Sequence, residues 1–275
     1  MAALKKIEPA LLPRSLAAAA LACACMIVHA DNTAERAGRN GVLTVGMHHV
    51  VPPYVAGAKF RTPENIDSAL AEAVSGSMKL KLNTVPVPAK EAAKALASRK
   101  ADIALAAIPD ADPLRKSVVI VPTGYSSGPM AIMRSDTDIK TWEQLKGRKV
   151  CVSGDGRYAG TIAEKYGATE VIFRAPADAL LALRIGGCDA AVHDSAVLAQ
   201  LIKLPEWKKF SARLPIGPVS PLVFTVPAKD TQTARLLNRV ADEWFATGYL
   251  TQLTEKMARN IAFEVYLDQN VPDCH

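Results

Sequence analysis

The stretch from Val118 to Ser153 constrains the fold more than any other part of this chain. It holds two apolar runs, Val118–Val121 and Met130–Met133, joined by Thr123–Pro129, which is dense in Gly, Ser and Pro. Short apolar runs bounded by turn residues suit buried strands. Gly124, Ser126, Ser127 and Gly128 tolerate a wide range of φ and ψ, so the joining run suits a flexible crossing between two bodies. Thr141-Trp142-Glu143-Gln144 then fits a capping box that opens a short helix, closed by Gly147. A strand, Val150–Ser153, leads into the Gly-rich turn Gly154-Asp155-Gly156. One α/β body is expected before this stretch and a second after it.

The flanking segments repeat one grammar. Before the crossing come a strand Gly41–Met47, a loop, a helix capped by Thr62 with Pro63 at its first position, a strand Leu80–Val87, a helix Lys90–Ser98 and a strand Asp102–Ile108. Ile66, Leu70 and Val74 fall on one face of the first helix. After it, strands are expected at Val150–Ser153, Glu170–Arg174 and Asp189–His193. Helices are expected at Gly160–Tyr166, Asp178–Ile185 and Ser195–Leu204. Such alternation predicts mainly parallel sheets with helices on their faces. A second Gly/Pro run, Leu214–Ser220, precedes the strand Leu222–Val226. Asp230 then caps a long amphipathic helix carrying Leu236, Val240, Trp244 and Leu250. Two crossings between two bodies make a hinge, and ligands of open α/β sheets sit beyond the carboxyl ends of the strands.

Residues 1–30 read as a cleaved export signal. Lys5, Lys6 and Arg14 form a basic start, Ser15–Val28 an Ala-rich apolar run too short to span a bilayer, and Val28-His29-Ala30 a cleavage site before Asp31. Ala20-Leu21-Ala22-Cys23 is a weaker, lipobox-like alternative. Removing that segment takes away three basic residues and one acidic. It leaves 30 Lys and Arg against 26 Asp and Glu, a formal +4 scattered along the chain. No basic cluster points to nucleic acid. Cys151, Cys188 and Cys274 remain, with no CxxC spacing, so one disulfide is open to the chain but no pairing or zinc site is signalled. About 245 residues suit two lobes. The expected division is a lead-in 31–40, a first lobe 41–124 continued at 219–275 with the C-terminal tail, and a second lobe 125–218.

Several segments resemble the periplasmic solute-binding proteins of family 3, the amino-acid class serving ABC transporters. They are LTVGMHHVVPPYV (Leu43–Val55), NIDSALAEAV (Asn65–Val74), ALASRKADIALAAI (Ala95–Ile108), TDIKTWEQLKGRKVCVSG (Thr137–Gly154), CDAAVHDSAVLAQLI (Cys188–Ile202) and GYLTQLTEKM (Gly248–Met257). The resemblance implies an α/β, two-lobed type II periplasmic binding protein fold. It implies a protein without catalytic activity or cofactor, closing as a monomer around a small polar ligand and passing it to a membrane permease.

The family's binding residues map onto particular positions. Arg115 matches the arginine that pairs with a ligand's carboxylate, where a guanidinium fork makes two charge-assisted bonds; its plainer role is a surface arginine. Asp194 matches the aspartate that takes the α-ammonium, and it also suits the N-cap of the following helix. Gly154-Asp155-Gly156 matches the turn whose amides, at a helix start, receive the carboxylate. His48 falls at a polar cleft position, whereas adjacent His48 and His49 point to opposite sides and do not make a metal pair. The chain departs from the family where Val51 replaces a stacking aromatic, with Tyr54 three residues on as the substitute. Asp110 and Asp112 stand where hydroxyl residues are usual, and Asp155 where threonine is common. These carboxylates favour a ligand with an additional cationic group. Trp142, Trp207 and Trp244 read as packing residues. Two further classes stay open: a dehydratase-like enzyme on the same fold, with His48, Asp110 or Asp155 as its acid or base, and a ligand sensor docking on a membrane receptor.

Overall fold

The computed structural model describes residues 32–51, 56–57, 59–63, 66–154 and 156–269. The expected leader and its cleavage site before Asp31, together with Tyr54, Asp155 and Cys274, lie outside these residues. The expected lead-in is a helix, α1 (Thr33–Asn40), which the sequence reading did not predict. Asn32 caps it, its Oδ1 accepting from Glu35 N at 2.9 Å, and Gly41 ends it at φ 68°.

There follow β1 (Val42–Met47), α2 (Asp67–Ser77), β2 (Lys81–Pro86), α3 (Ala92–Ala97) and β3 (Ile103–Ala107), the alternation expected from the sequence. Ile66, Leu70 and Val74 are all buried along α2. Thr62, however, does not cap this helix. Its backbone N and its Oγ1 both donate to Glu264 Oε1, at 2.9 and 2.6 Å, and the helix begins at Asp67.

The expected flexible crossing is a strand. β4 (Val118–Ser127) runs unbroken through Gly124, the one glycine there with positive φ, and a single residue, Gly128, separates it from β5 (Pro129–Met133). Extended backbone holds because a partner continues beside it: β10 (Ser220–Pro227) pairs with β4 as far as Ser220↔Ser127. The second crossing lies against the first, with Gly217 N donating to Pro129 O at 2.9 Å.

The second half comprises β6 (Lys149–Ser153), α4 (Thr161–Tyr166), β7 (Thr169–Phe173), α5 (Pro176–Arg184), β8 (Ala190–Asp194), α6 (Ser195–Leu201) and β9 (Ala212–Arg213). A short 3-10 helix, Trp142–Leu145, precedes it with the expected capping box, Gln144 Oε1 accepting from Thr141 N at 3.1 Å. Trp142, Trp207 and Trp244 are all buried.

The strands form two five-stranded sheets, ordered β2-β1-β3-β10-β4 and β7-β6-β8-β5-β9. Each is parallel apart from one strand, β10 in the first and β5 in the second. Those are the two strands the chain enters on crossing from the other sheet, so their reversed direction follows from the double crossing. Cys151 on β6 and Cys188 just before β8 form a disulfide, with Cα atoms 5.8 Å apart.

The terminal helix is two helices. Asp230 Oδ1 accepts from Thr233 N at 2.9 Å and caps α7 (Thr231–Thr247). Gly248 at φ 66° turns the chain into α8 (Tyr249–Asp268), which carries Leu250. α8 packs on α5 and α6, which flank the second sheet. There Ile261 and Val265 share a core cluster with Leu180, Leu183 and Leu201. Arg61 binds both Asp178 of α5 and Asp268 of α8, adding a charged tie to the apolar one.

Candidate functional site

Parallel strands place their following residues at one end of a sheet, and both sheets do so here. β1 leads to His48 and to α2 with Asp67. β3 leads to Pro109 and Asp110. β6 leads to the turn carrying Arg157 and Tyr158, and β8 ends on Asp194. The carboxyl ends of the two sheets meet through these residues.

Asp194 is the centre. It opens α6 but makes no side-chain cap bond. Its carboxylate instead accepts from Tyr125 Oη at 3.0 Å and from Tyr158 Oη, and Arg157 Nη2 lies 3.6 Å from it. The same Nη2 lies 3.4 Å from Asp67 Oδ1. Asp67 belongs to a helix of the first sheet's half, Asp194 to a strand of the second. One guanidinium therefore joins a carboxylate from each.

The surroundings set the charges. Burial pushes the Asp67 carboxyl above the ordinary range. Arg157 opposes this, the negative Asp194 adds to it, and His48 opposes it. Burial and the Asp194 charge raise both Tyr125 and Tyr158 far above their usual values, so both hydroxyls stay protonated donors. Burial disfavours the Arg157 charge, but Asp194 and Asp67 outweigh it and raise its pKa, so the guanidinium is firmly cationic.

Beside this cluster lies a cavity of about 360 Å³ between the end of β3, the two crossings and α4. Arg157, Tyr158, Lys165, Ser127, Thr161 and Ser220 give it a cationic and hydroxyl-rich wall. The crossing is tied to α6 here: Ser195 N donates to Gly128 O at 2.9 Å, and the Ser127 and Ser195 hydroxyls are 3.2 Å apart.

The residues singled out in the sequence fall differently. Arg115 donates through Nε to Pro109 O and through Nη2 to Ile108 O, both at 2.9 Å, and pairs with the exposed Asp110, also at 2.9 Å. It clasps the loop after β3. Asp112 caps the next short turn, accepting from Leu114 N at 2.9 Å. Gly156 N donates to Ser153 O within its turn. The amides at the start of α4 are taken by the chain's own Glu170, whose carboxylate accepts from Gly160, Ile162 and Ala163 N at 2.6 to 2.9 Å. His48 and Val51 are exposed.

Sequence reasoning missed Arg157, Tyr158, Tyr125 and Asp67. Three of them carried a visible signal. Arg157-Tyr158 follows the Gly-Asp-Gly turn directly, and Tyr125 is the sole aromatic residue of the first crossing.

Two sheets with their carboxyl ends facing and an ionic cluster between them define a two-lobed solute-binding protein. Residues 43–260 match the bacterial extracellular solute-binding proteins, family 3, and the chain belongs to that family. It is 23% identical over 227 residues to a probable amino-acid ABC transporter-binding protein of Haemophilus influenzae, covering 82% of this chain and 88% of that one. Its fold resembles a mutant of ArgBP from T. maritima (TM-score 0.56, 22% identity, 82% of this chain and 98% of that one). It also resembles an ancestral cationic amino acid solute binding protein (TM-score 0.59, 23% identity, 82% and 99%). A third similar structure is an amino acid ABC transporter substrate-binding protein from Streptococcus pneumoniae bound to L-arginine (TM-score 0.56, 16% identity, 83% and 98%).

Proposed function

We propose that this protein is the periplasmic substrate-binding component of an ABC transporter for an amino acid. It is exported by cleavage before Asp31, works as a monomer, and delivers its ligand to a membrane permease after the lobes close. The observation that supports an amino-acid ligand most is the position of Asp194. It is a buried carboxylate at the carboxyl end of β8, steered by two tyrosine hydroxyls and facing a second carboxylate, Asp67, from the other lobe. A ligand ammonium entering there meets an acceptor already oriented for it. Two carboxylates against one arginine leave the cluster short of positive charge, which favours a ligand carrying an extra cation, of the lysine or arginine kind. Val51 stands where an aromatic would stack on a guanidinium, so a lysine-like ammonium ranks above arginine.

Calorimetric titration of the exported protein with lysine, arginine, glutamine and glutamate tests this. Lysine or arginine is expected to bind tightest, and Asp194→Ala to weaken binding about 30-fold or more, the cost of an unpaired buried charge. Tightest binding to glutamate would overturn the cationic preference. Binding of none of the four would overturn the amino-acid assignment. Intact mass of the periplasmic protein reads the cleavage site, and a lipid on Cys23 would contradict it.

A further inference from the structure

We infer that Arg157, and not Arg115, is the residue that takes the ligand's carboxylate. This rests on the amino-acid reading above and deepens it. Both groups that family resemblance assigns to that carboxylate are engaged within the chain. Arg115 is held by two backbone carbonyls and Asp110, and of the Gly-Asp-Gly turn's amides Gly154 N donates to Phe173 O at 2.8 Å and Gly156 N to Ser153 O at 3.0 Å. Freeing Arg115 would strip two carbonyl bonds from the loop after β3, and freeing the turn's amides would leave two further carbonyls without these donors.

Arg157 differs in three respects. Its two ionic contacts are long, 3.4 and 3.6 Å, so they are loose and exchangeable. Its Nε is buried and has no hydrogen-bond partner among the described residues. It lines the interlobe cavity next to Lys165 and the hydroxyls of Ser127, Thr161 and Ser220, and among the described residues no carboxylate lines that cavity. A ligand carboxylate seated there accepts from Nε and a terminal nitrogen in the two-point geometry a guanidinium offers. The same guanidinium then turns from Asp67 and Asp194, and the ligand's ammonium replaces it between these two carboxylates. Ligand and arginine exchange ionic partners, and no buried charge is left alone.

The test is calorimetry with lysine, glutamine and lysinamide, and with glutarate as a carboxylate lacking an amino group. Wild type is compared with Arg157→Gln, Arg157→Lys and Arg115→Gln. Arg157→Lys keeps the charge that Asp67 and Asp194 need for folding but loses the fork. The expected result is a loss of about 30-fold or more in Arg157→Gln, a smaller loss in Arg157→Lys, and little change in Arg115→Gln. Lysinamide should bind wild type weakly, and should lose nothing further in Arg157→Lys. Amino-acid binding that survives in both Arg157 variants but disappears in Arg115→Gln would overturn the assignment and leave the amino-acid reading standing. Binding of glutarate alone, lost in Arg157→Gln, would uphold Arg157 and overturn the amino-acid reading. Binding of none of these probes to wild type would overturn both.

Discussion

Arg157 Nη2 lies 3.4 Å from Asp67 and 3.6 Å from Asp194, two carboxylates that reach it from opposite lobes. The contact between the two halves is electrostatic as well as apolar. Neither carboxylate can leave the other's field while the lobes are together, and each needs a cation beside it to stay buried and charged.

That coupling is readable by titration. The Asp67 carboxyl is expected to titrate above 3.8, and Asp194→Asn to bring it down by removing a neighbouring negative charge. Carboxyl-carbon NMR measures both. The sign for stability follows: a carboxyl whose folded value is raised favours folding fully below its unfolded value. That contribution is lost as pH rises through the folded value. An Asp67 titration unmoved by Asp194→Asn would mean the two charges do not sense each other.

The close approach of the two crossings has a steric test at Gly128. A Cβ built there comes 2.7 Å from Gly217 O and 2.8 Å from Pro218 O, backbone atoms of the second crossing. Gly128→Ala must push the crossings apart, at a cost of about 1–3 kcal/mol of stability. Urea denaturation reads the cost. Small-angle scattering with a saturating amino acid should show less compaction than in wild type. Unchanged stability would show that the crossings separate freely.

The disulfide between Cys151 and Cys188 closes a loop of 37 residues in the second lobe. Replacing both with Ser is expected to lower stability by about 2–4 kcal/mol, since the unfolded chain regains loop freedom. At roughly 2–4 °C per kcal/mol the midpoint falls by about 4–16 °C. Thermal unfolding of the double variant, and of wild type with reductant, should agree.

Asp230 holds two helices at once. Its carboxylate accepts from Thr233 N of α7 at 2.9 Å and from Thr33 N of α1 at 2.7 Å. Asp230→Ala should cost about 1–2 kcal/mol at neutral pH. Burial would raise its pKa, but the bonds from Thr33 and Thr233 prevail and hold it below 3.8. Its stabilisation is therefore present above about pH 3.8 and is lost as pH falls through the lower folded value. The gap between wild type and variant should narrow between pH 5 and pH 2 in denaturation experiments. A gap independent of pH would contradict the ionic cap.

Most of the architecture was legible in the chain because it is written in local periodicity. The apolar runs, the capping box at Thr141 and the cap at Asp230 needed only neighbours in sequence to be recognised. The order of alternation implies the parallel sheets, and Asp194 falls at the end of its strand. What lay beyond reach depended on partners far away in sequence. The Gly/Ser crossing reads as a loop until β10 supplies its hydrogen bonds. Thr62 reads as a cap until Glu264, 202 residues later, accepts from it. Arg115 carries the right chemistry for a carboxylate, and its occupants are near in sequence, Pro109 O and Ile108 O six and seven residues back, but only the folded loop after β3 brings them onto it. An ionic group's role depends on which opposite charge or carbonyl it meets at about 3 Å, and only the tertiary structure decides that. The sequence by itself determined the two lobes and the kinds of charged groups between them; the packing decided that Arg157 is the one joining Asp67 to Asp194.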